Sequence, residues 1–475
     1  MKIITFQRNH FCRRIRFARV ALLTIAMTTL SAGLTAARAA GTGPTLQLLS
    51  EFPASSSGPN EPYGRLVQGT NGDFYGTTKS GGVSGKGTVF KVTSDGNWTT
   101  LFSFSGTNGA APYYGGLLRA SDGNFYGNTY SGGTNGYGTI FKITHAGVFS
   151  NLFLFRNTNG NSPRGWLAQG SDGNLYGTTY GGGSNSLGTV FKMTTAGALT
   201  TLVSFNGTNG SNPSAGLVSG GDGNFYGTSL SGGSNDLGTV FRITTNGALT
   251  TLAVFTGTSG SFPGESPLGG LVRGSDGLLY GTTEYGGTSD DGTIFRITTN
   301  GVFTSLFSFS HTNGFDPEAG LVEGLDGRFY GTTYDYPGGL ATNQNGTVFA
   351  ITPGGAFEMV YAFDYTNGPN PSADLTLGRD GNLYGSTVIG GSAGYGAIFR
   401  LVTPPLITQL IKSNGNVTLN WTSFTNGIYQ VEYKSTINAT SWTPLAPTVT
   451  ATNNSAAKTD TPAGSQRFYR VTLLP

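Results

Sequence analysis

The sequence has almost no cysteine, little histidine and few charged residues, and each shortage excludes a class of chemistry. Cys12 is the only cysteine among 475 residues and lies before an apolar run near the N-terminus, which excludes disulfides and cysteine-ligated metals. His145 and His311, the two histidines beyond residue 39, lack the partners of a Ser-His-Asp triad or a metal site. We therefore predict no catalytic residues, no metal and no cofactor.

The first 39 residues have the pattern of a secretory signal peptide. Residues 1–20 carry basic side chains and no acid, an apolar run follows, and Ala37-Arg38-Ala39 provides a small-x-small cleavage site. The run is too short for a membrane-spanning helix and no other segment is apolar enough, so we predict no transmembrane segment in the mature chain. We expect cleavage after Ala39 and a secreted protein, in the periplasm, at the cell surface or outside the cell.

Removal of this segment reverses the sign of the net charge. The chain has 27 Lys and Arg against 24 Asp and Glu, and seven of the basic residues lie within residues 1–39. A slightly acidic mature chain lacks the basic surface that binds nucleic acid, so we predict no nucleic-acid partner. The 78 glycines and an aromatic content of 12% favour an all-β protein with many turns over a disordered chain.

Seven copies of the same words follow one another at a period near 50 residues. The tyrosine of a Tyr-Gly pair falls at 75, 126, 176, 226, 280, 330 and 384, and the phenylalanine of a Gly-Thr-Val/Ile-Phe word at 90, 141, 191, 241, 295, 349 and 399. One period contains four short segments typical of β-strands, for example GLVSG, NFYGTSL, GTVFRIT and ALTTLAVF. A tight Asp-Gly turn joins the first two segments, and a tight Asn-Gly turn joins the last two. Four strands per unit and this period predict propeller blades.

The two ends of the array complement each other. The fourth word ends at Phe52 before the first complete repeat, and no copy of it follows the last repeat. We predict an all-β fold in which residues 45–403 form a seven-bladed β-propeller with four strands per blade. In this prediction strand 45–52 pairs with the strand around 397–402 and closes the ring, which removes two exposed sheet edges. The alternative is an open β-solenoid.

The sequence motifs RLVQG, SDGNLYGTTYGGG and GTVFKMT resemble the GloVer tandem-repeat family of secreted bacterial proteins, which are of the "choice-of-anchor" type. The resemblance covers residues 45–403 and rests on a motif that recurs seven times. It implies secretion and a repeat architecture, and it implies no activity or catalytic residue.

A second domain follows the repeats. Pro404-Pro405 breaks the pattern, and residues 406–475 contain short β-type words with an early Trp421 and an aromatic last strand. We predict a small fibronectin-III-like β-sandwich, although this segment is shorter than the ~100 residues of such domains.

Three residues recur at fixed places in the repeats, and each has a structural explanation. An aspartate begins the Asp-Gly turn at 122, 172, 222, 276, 326 and 380, where it favours the turn; calcium binding or acid catalysis is the alternative. The glycine after each tyrosine is expected to let a neighbouring group approach closely. A Lys or Arg follows the phenylalanine of six repeats and is expected to cover apolar surface, with a cationic ring for an anionic polymer as the alternative.

The second and fourth connections of each repeat are long and variable, so the face that bears them is the candidate binding face. Aromatic side chains there offer flat apolar surfaces with polar tips, which suit sugar rings. The alternative is that these aromatics pack between loops. The predicted ligand-binding residues are Tyr130, Tyr180, Trp166, Tyr113, Tyr114, Glu284 and Tyr334.

These features favour a secreted, non-catalytic binding or structural module of the bacterial cell envelope, with a polysaccharide or a cell-surface protein as its partner. The alternative is a secreted polysaccharide-degrading hydrolase or lyase, which needs two carboxylates on opposite sides of a bond. Two acids outside the repeat consensus that met at one place would favour the enzyme, and the sequence shows no such pairing. These acids are Glu265, Glu284, Asp290, Asp291, Glu318, Asp335 and Asp374.

Overall fold

The computed structural model describes most of the chain after residue 43. The described residues are 44–52, 58–334, 345–364, 368–423, 426–436, 438–453, 455–462 and 467–474, together with the backbone of 21–23. The predicted signal peptide therefore lies almost entirely outside the described residues. Two compact units result: the repeat unit, Pro44–Thr403, and the C-terminal unit, which contains Pro404–Pro475.

Each of the first six repeats folds as one antiparallel four-stranded sheet whose strands lie in chain order, and the last repeat supplies the first three strands of a seventh sheet. The first strands are Val67–Gln68, Leu117–Arg119, Ala168–Gln169, Val218–Ser219, Val272–Arg273, Val322–Glu323 and Thr376–Leu377. The second strands are Phe74–Thr78, Phe125–Thr129, Leu175–Thr179, Phe225–Ser229, Leu279–Thr283, Phe329–Thr333 and Leu383–Thr387. The third strands are Thr88–Val92, Thr139–Ile143, Thr189–Met193, Thr239–Ile243, Thr293–Ile297, Thr347–Ile351 and Ala397–Val402. The fourth strands are Trp98–Ser103, Phe149–Leu154, Leu199–Ser204, Leu249–Val254, Phe303–Ser308 and Phe357–Ala362.

The strand after the signal-peptide region completes the last of these sheets. Thr45–Glu51 pairs antiparallel with Ala397–Val402, as the sequence predicts, with Thr45 opposite Val402. Phe52 follows this strand and is fully buried, and its N–H donates to the Gly396 carbonyl at 3.0 Å. The sheet of the last repeat thus takes its fourth strand from the N-terminal end of the repeat unit.

The second strand of each repeat is buried on both of its faces, and this explains its composition. All five residues of Leu175–Thr179 are buried, as are their counterparts in every other repeat. Gly177 lies opposite Phe191, and a Cβ built on this glycine would lie 2.6 Å from the Phe191 ring. The predicted close approach at the glycine after each tyrosine is confirmed.

The tyrosine of each Tyr-Gly pair ties its strand to the preceding turn. Tyr126 donates a hydrogen bond from its hydroxyl to Asp122 at 2.8 Å, and the same pair recurs along the array. Asp172 also pairs with Lys192 at 2.8 Å. The recurring aspartates therefore hold turns and buried tyrosines, in agreement with their structural explanation.

The same three contacts join neighbouring repeats, and they also join the last repeat to the first. The Tyr176 ring packs against that of Phe225 with 4.3 Å between the ring centroids, and the Tyr384 ring lies 4.0 Å from that of Phe74. Hydroxyls of the second strands donate to a backbone carbonyl of the next repeat, as Thr178 does to Ala215 and Ser386 does to Pro62. The side-chain oxygen of Gln169 accepts a hydrogen bond from the Ser121 N–H in a turn of the preceding repeat. The side-chain oxygen of Gln68 accepts one in the same way from the Arg379 N–H of the last repeat.

The C-terminal unit contains two sheets around one apolar core. Ile407–Ser413, Asn416–Thr422 and Ser455–Asp460 form one sheet, and Ile428–Lys434, Thr443–Thr450 and Phe468–Leu473 form the other, to which Ala21–Leu23 adds a short strand. Trp421 is fully buried in this core and contacts Tyr429. The two-sheet arrangement agrees with a sandwich, and the fibronectin-III likeness stays a prediction.

Two further observations concern the described residues. No helix among them has the length and apolar character needed to cross a membrane. His311, which showed no partner in the sequence, places its Nδ1 within 2.6 Å of Asp291 Oδ2, yet no group of three potential metal ligands occurs in the described part of the chain.

Candidate functional site

The fourth connections end in seven related segments that each contain a proline followed by small or variable residues. The residue before each proline adopts a left-handed conformation with φ between 48° and 63°, which turns the chain sharply into the segment. We call these the proline segments: 61–66, 111–117, 162–167, 212–217, 266–271, 316–321 and 370–375.

Two features hold the proline segments close together. The buried Thr282 hydroxyl donates to the Ala319 carbonyl at 2.8 Å, and Asn128 donates to the Gly165 carbonyl at 2.6 Å. Small residues at the middle of the segments let their backbones meet, because a Cβ on Gly269 would lie 2.6 Å from the Ala319 carbonyl. Neighbouring segments therefore pack backbone against backbone.

All seven proline segments contribute to one pocket, which we call the central pocket. About 300 Å³ of empty space lies within it when the part that is open to solvent is included. Its lining comprises Tyr63, Arg65, Tyr114, Gly165, Trp166, Ser214, Ala215, Leu268, Gly269, Gly270, Glu318, Ser372 and Asp374. Aromatic rings, hydroxyls and charged groups therefore converge here from residues that lie up to about 300 positions apart in the chain.

Two carboxylates of the central pocket belong to the acids that lie outside the repeat consensus. Burial raises the pKa of Glu318 to about 7, and the nearby negative charge of Glu284 adds to this rise. Burial also raises the pKa of Asp374, which Arg65 and the Gly320 N–H oppose. Glu318 and Asp374 thus meet at one place, which the sequence alone did not indicate.

An inserted tyrosine stands beside Glu318. The segment 111–117 is one residue longer than the others, and Tyr114 adopts a φ of 58°, which is uncommon for a bulky residue. Its hydroxyl donates to Glu318 Oε2 at 3.2 Å. Burial and the Glu318 charge both raise the pKa of Tyr114, so this tyrosine acts as a neutral hydrogen-bond donor.

Further tyrosines and two cations form an aromatic cluster around Tyr114. Tyr113 lies 4.7 Å from Tyr63 and 6.1 Å from Tyr130, measured between ring centroids. The Arg164 guanidinium lies 4.4 Å from the Tyr114 ring centroid and 5.6 Å from that of Tyr180. Lys79 lies 5.1 Å from both the Tyr63 and the Tyr113 rings. Cations over aromatic faces hold the cluster together.

The predicted site residues fall into three groups. Tyr114 and Trp166 line the central pocket itself. Tyr113, Tyr130 and Tyr180 belong to the aromatic cluster, while Glu284 and Tyr334 lie close enough to affect the pKa of Glu318 and of Tyr63 respectively. Their ligand-binding role stays a prediction.

Sequence reasoning missed Tyr63, Arg65 and Ser372 as site residues. Each occupies the first or third place after the proline of its segment, between a constant proline and a constant leucine. These two places vary in size and charge from one repeat to the next, and that variation within a fixed frame was the available signal.

The raised pKa of Glu318 predicts a pH-dependent stability. Its carboxyl stays protonated to a higher pH in the folded than in the unfolded protein, so its contribution to stability declines as the pH rises from about 4.5 to about 7. We expect Glu318→Gln to melt at a higher temperature than the parent at pH 8 and at a similar temperature at pH 5.

Thermal denaturation at both pH values measures this difference. Glu51→Gln is the control, because hydrogen bonds from Ser392 lower the pKa of Glu51. That variant should melt below the parent at pH 5 and at pH 8 alike. An equal effect of Glu318→Gln at the two pH values would contradict the raised pKa.

The chain resembles known proteins in two ways, through solved structures of similar fold and through a family of sequence repeats. No curated protein matches it. One similar solved structure is the extracellular domain of a hybrid two component system from B. thetaiotaomicron, 13% identical with a TM-score of 0.47, over 91% of this chain and 56% of that one. Another is the BP39L lectin from Burkholderia pseudomallei, 8% identical with a TM-score of 0.48, over 77% of this chain and 96% of the lectin.

This chain spans about half the length of the first of these structures. The model of the Gloeobacter/Verrucomicrobia repeat matches residues 35–220, 147–339 and 222–429, which together cover most of the chain and confirm the resemblance found in the sequence. The chain belongs to the Gloeobacter/Verrucomicrobia repeat family.

Proposed function

We propose that the repeat unit is a closed seven-bladed β-propeller with the central pocket on its axis. The contacts between the last and first repeats support this proposal, because they reproduce those between neighbours. Tyr384 meets Phe74 as Tyr176 meets Phe225, and Ser386 donates to Pro62 as Thr178 does to Ala215. An open solenoid would leave its two ends without such contacts.

We further propose that this propeller is a secreted, non-catalytic glycan-binding module of the bacterial cell envelope. The observation that carries this proposal is the composition of the central pocket. Tyrosine rings, the Ser372 hydroxyl and the Glu318 carboxyl meet within one small concave space. Sugars present apolar ring faces and many hydroxyls, so a site for them combines aromatic surfaces with hydrogen-bonding groups. The predicted signal peptide supports export.

Binding of neutral oligosaccharides by the mature protein tests this proposal. We expect a glycan array followed by calorimetry to identify a ligand, and Tyr63→Ala to weaken its binding by about tenfold or more, because a stacking surface is lost. Tyr137→Ala is the matched control, since Tyr137 is 41% exposed and lies outside the pocket lining. Equal affinities of the two variants would remove the pocket from consideration.

A glycan-cleaving enzyme is the second candidate, and one observation favours it. Glu318 holds a pKa near neutrality, accepts a hydrogen bond from Tyr114 and interacts with Glu284, a combination found at acid–base sites. The array ligand incubated with the protein should stay intact if the module only binds. Release of reducing ends that Glu318→Gln abolishes, while binding persists, would establish the enzyme instead.

A further inference from the structure

The inner part of the central pocket is formed by the residue that precedes the leucine of each proline segment. This residue is glycine in four segments, Gly116, Gly216, Gly270 and Gly320, and it is large in the other three, Arg65, Trp166 and Asp374. Each chain continues from here into its first strand, so these positions lie deeper than the first residues after the prolines. One level of the pocket thus contains three large side chains and four glycines.

The three large side chains occupy the space that the glycines leave. A Cβ on Gly216 would lie 2.5 Å from Trp166 Cδ2, and one on Gly270 would also overlap the indole. A Cβ on Gly116 would lie 2.9 Å from Arg65 Cγ. Trp166 therefore covers two glycines of the level and Arg65 covers a third.

Contacts among the large side chains complete this layer. The Arg65 guanidinium lies 4.5 Å from the Trp166 ring centroid. Asp374 accepts a hydrogen bond from Gly320 N–H at 2.7 Å, and its charge acts on that of Arg65. The indole is thus packed against glycine backbones and a guanidinium. We call this layer of Arg65, Trp166 and Asp374 the floor of the pocket, and the sugar-stacking role of Trp166 stays a prediction.

The wall above this floor contains polar atoms that lack partners. Ser372 lines the pocket, is only 2% exposed, and its hydroxyl makes no hydrogen bond with any described residue. The buried Nε of Arg164, a residue outside the pocket lining, is likewise without a partner among the described residues. An unsatisfied buried polar group costs free energy, and a ligand that bonds to it removes that cost.

We infer that the central pocket is a blind site that takes the terminal residue of a neutral oligosaccharide chain rather than an internal stretch. This inference rests on the proposed function. The floor, which is formed by Arg65, Trp166 and Asp374, leaves no exit for a chain. A terminal sugar therefore enters the pocket, and the rest of the glycan extends out through its opening. The Ser372 hydroxyl bonds to a hydroxyl of that sugar. The pocket lining carries both a positive group, Arg65, and negative groups, Asp374 and Glu318, and this mixture of charges suits a neutral ligand.

Linear and cyclic glucans of equal size distinguish a chain end from an internal stretch. The probes are malto-, cello-, laminari- and xylo-oligosaccharides of increasing length, with β-cyclodextrin as the cyclic counterpart of maltoheptaose. For a series that binds, we expect the affinity to level off after the first few residues. If malto-oligosaccharides bind, β-cyclodextrin should bind at least about tenfold more weakly than maltoheptaose. Affinity that grows steadily with length, or equal binding of the cyclic glucan, would overturn the inference and leave the proposed function intact.

The Ser372→Ala variant tests the same site without disturbing the fold. The Ser372 hydroxyl has no hydrogen-bond partner among the described residues to lose, so the variant should melt at or above the temperature of the parent, while its affinity for the bound series falls several-fold. Ser219→Ala is the control and should leave the affinity unchanged, because Ser219 is exposed and lies outside the pocket lining. Unchanged affinity in Ser372→Ala would overturn the inference. Failure of every probe series to bind would overturn the proposed function together with it.

Discussion

Deletion of residues 44–52 is expected to destabilise the repeat unit more than any single substitution within it. The deletion removes the fourth strand of the last sheet, exposes the edge of Ala397–Val402 and empties the site of the fully buried Phe52. Phe52→Ala alone should cost about 3–5 kcal/mol, the usual range for a large buried aromatic side chain. Thermal and chemical denaturation measure both losses, and the exposed edge should also promote aggregation.

Two controls separate the role of this strand from a general loss of packing. Phe309→Ala removes the equivalent fully buried residue from an internal repeat and should cost about as much as Phe52→Ala. A synthetic peptide of residues 44–52 added to the deleted protein should restore part of the lost stability, because its pairing partner is present. A deletion variant that melts like the parent would contradict closure by this strand.

Gly177→Ala is expected to destabilise the fold although it adds only one methyl group. The new Cβ would lie 2.6 Å from Phe191 Cζ and 2.8 Å from Leu167 Cδ2, within a strand whose residues are all buried. Overpacking of this kind costs about 1–3 kcal/mol. The free energy of unfolding, measured by chemical denaturation, gives the size of the loss.

A second substitution tests the cause of that loss. Phe191→Leu removes the ring that the new methyl group meets, so the double variant should be more stable than the sum of the two single effects predicts. Gly354→Ala is the matched control, since a Cβ there would lie 3.9 Å from its nearest neighbour and the glycine has no positive φ. Additive effects in the double variant would show that ring contact is not the cause.

The sequence determined the repeating sheet, because the information for it is local. One antiparallel sheet per repeat is specified by three features of the sequence. These are a period near 50 residues, tight turns between the β-strand segments, and a glycine opposite each phenylalanine. The pairing of Thr45–Glu51 with Ala397–Val402 was also predictable, since one incomplete end of the array matches the other. The sheet of each repeat depends on neighbouring segments of the chain, whereas the pairing of the two ends follows from comparing the first and last copies of the repeat.

The central pocket could be predicted only in part, because it depends on contacts between residues about 50 to 300 positions apart. The sequence indicated Tyr114 and Trp166 as residues of the long connections, but it could not show that Glu318 lies within hydrogen-bonding distance of Tyr114. Whether an aromatic ring is available to a ligand depends on what covers its faces, and Gly216, Gly270 and Arg65 cover those of Trp166. Each repeat specifies its own sheet, and only the packing of the repeats against one another decides which variable side chains meet.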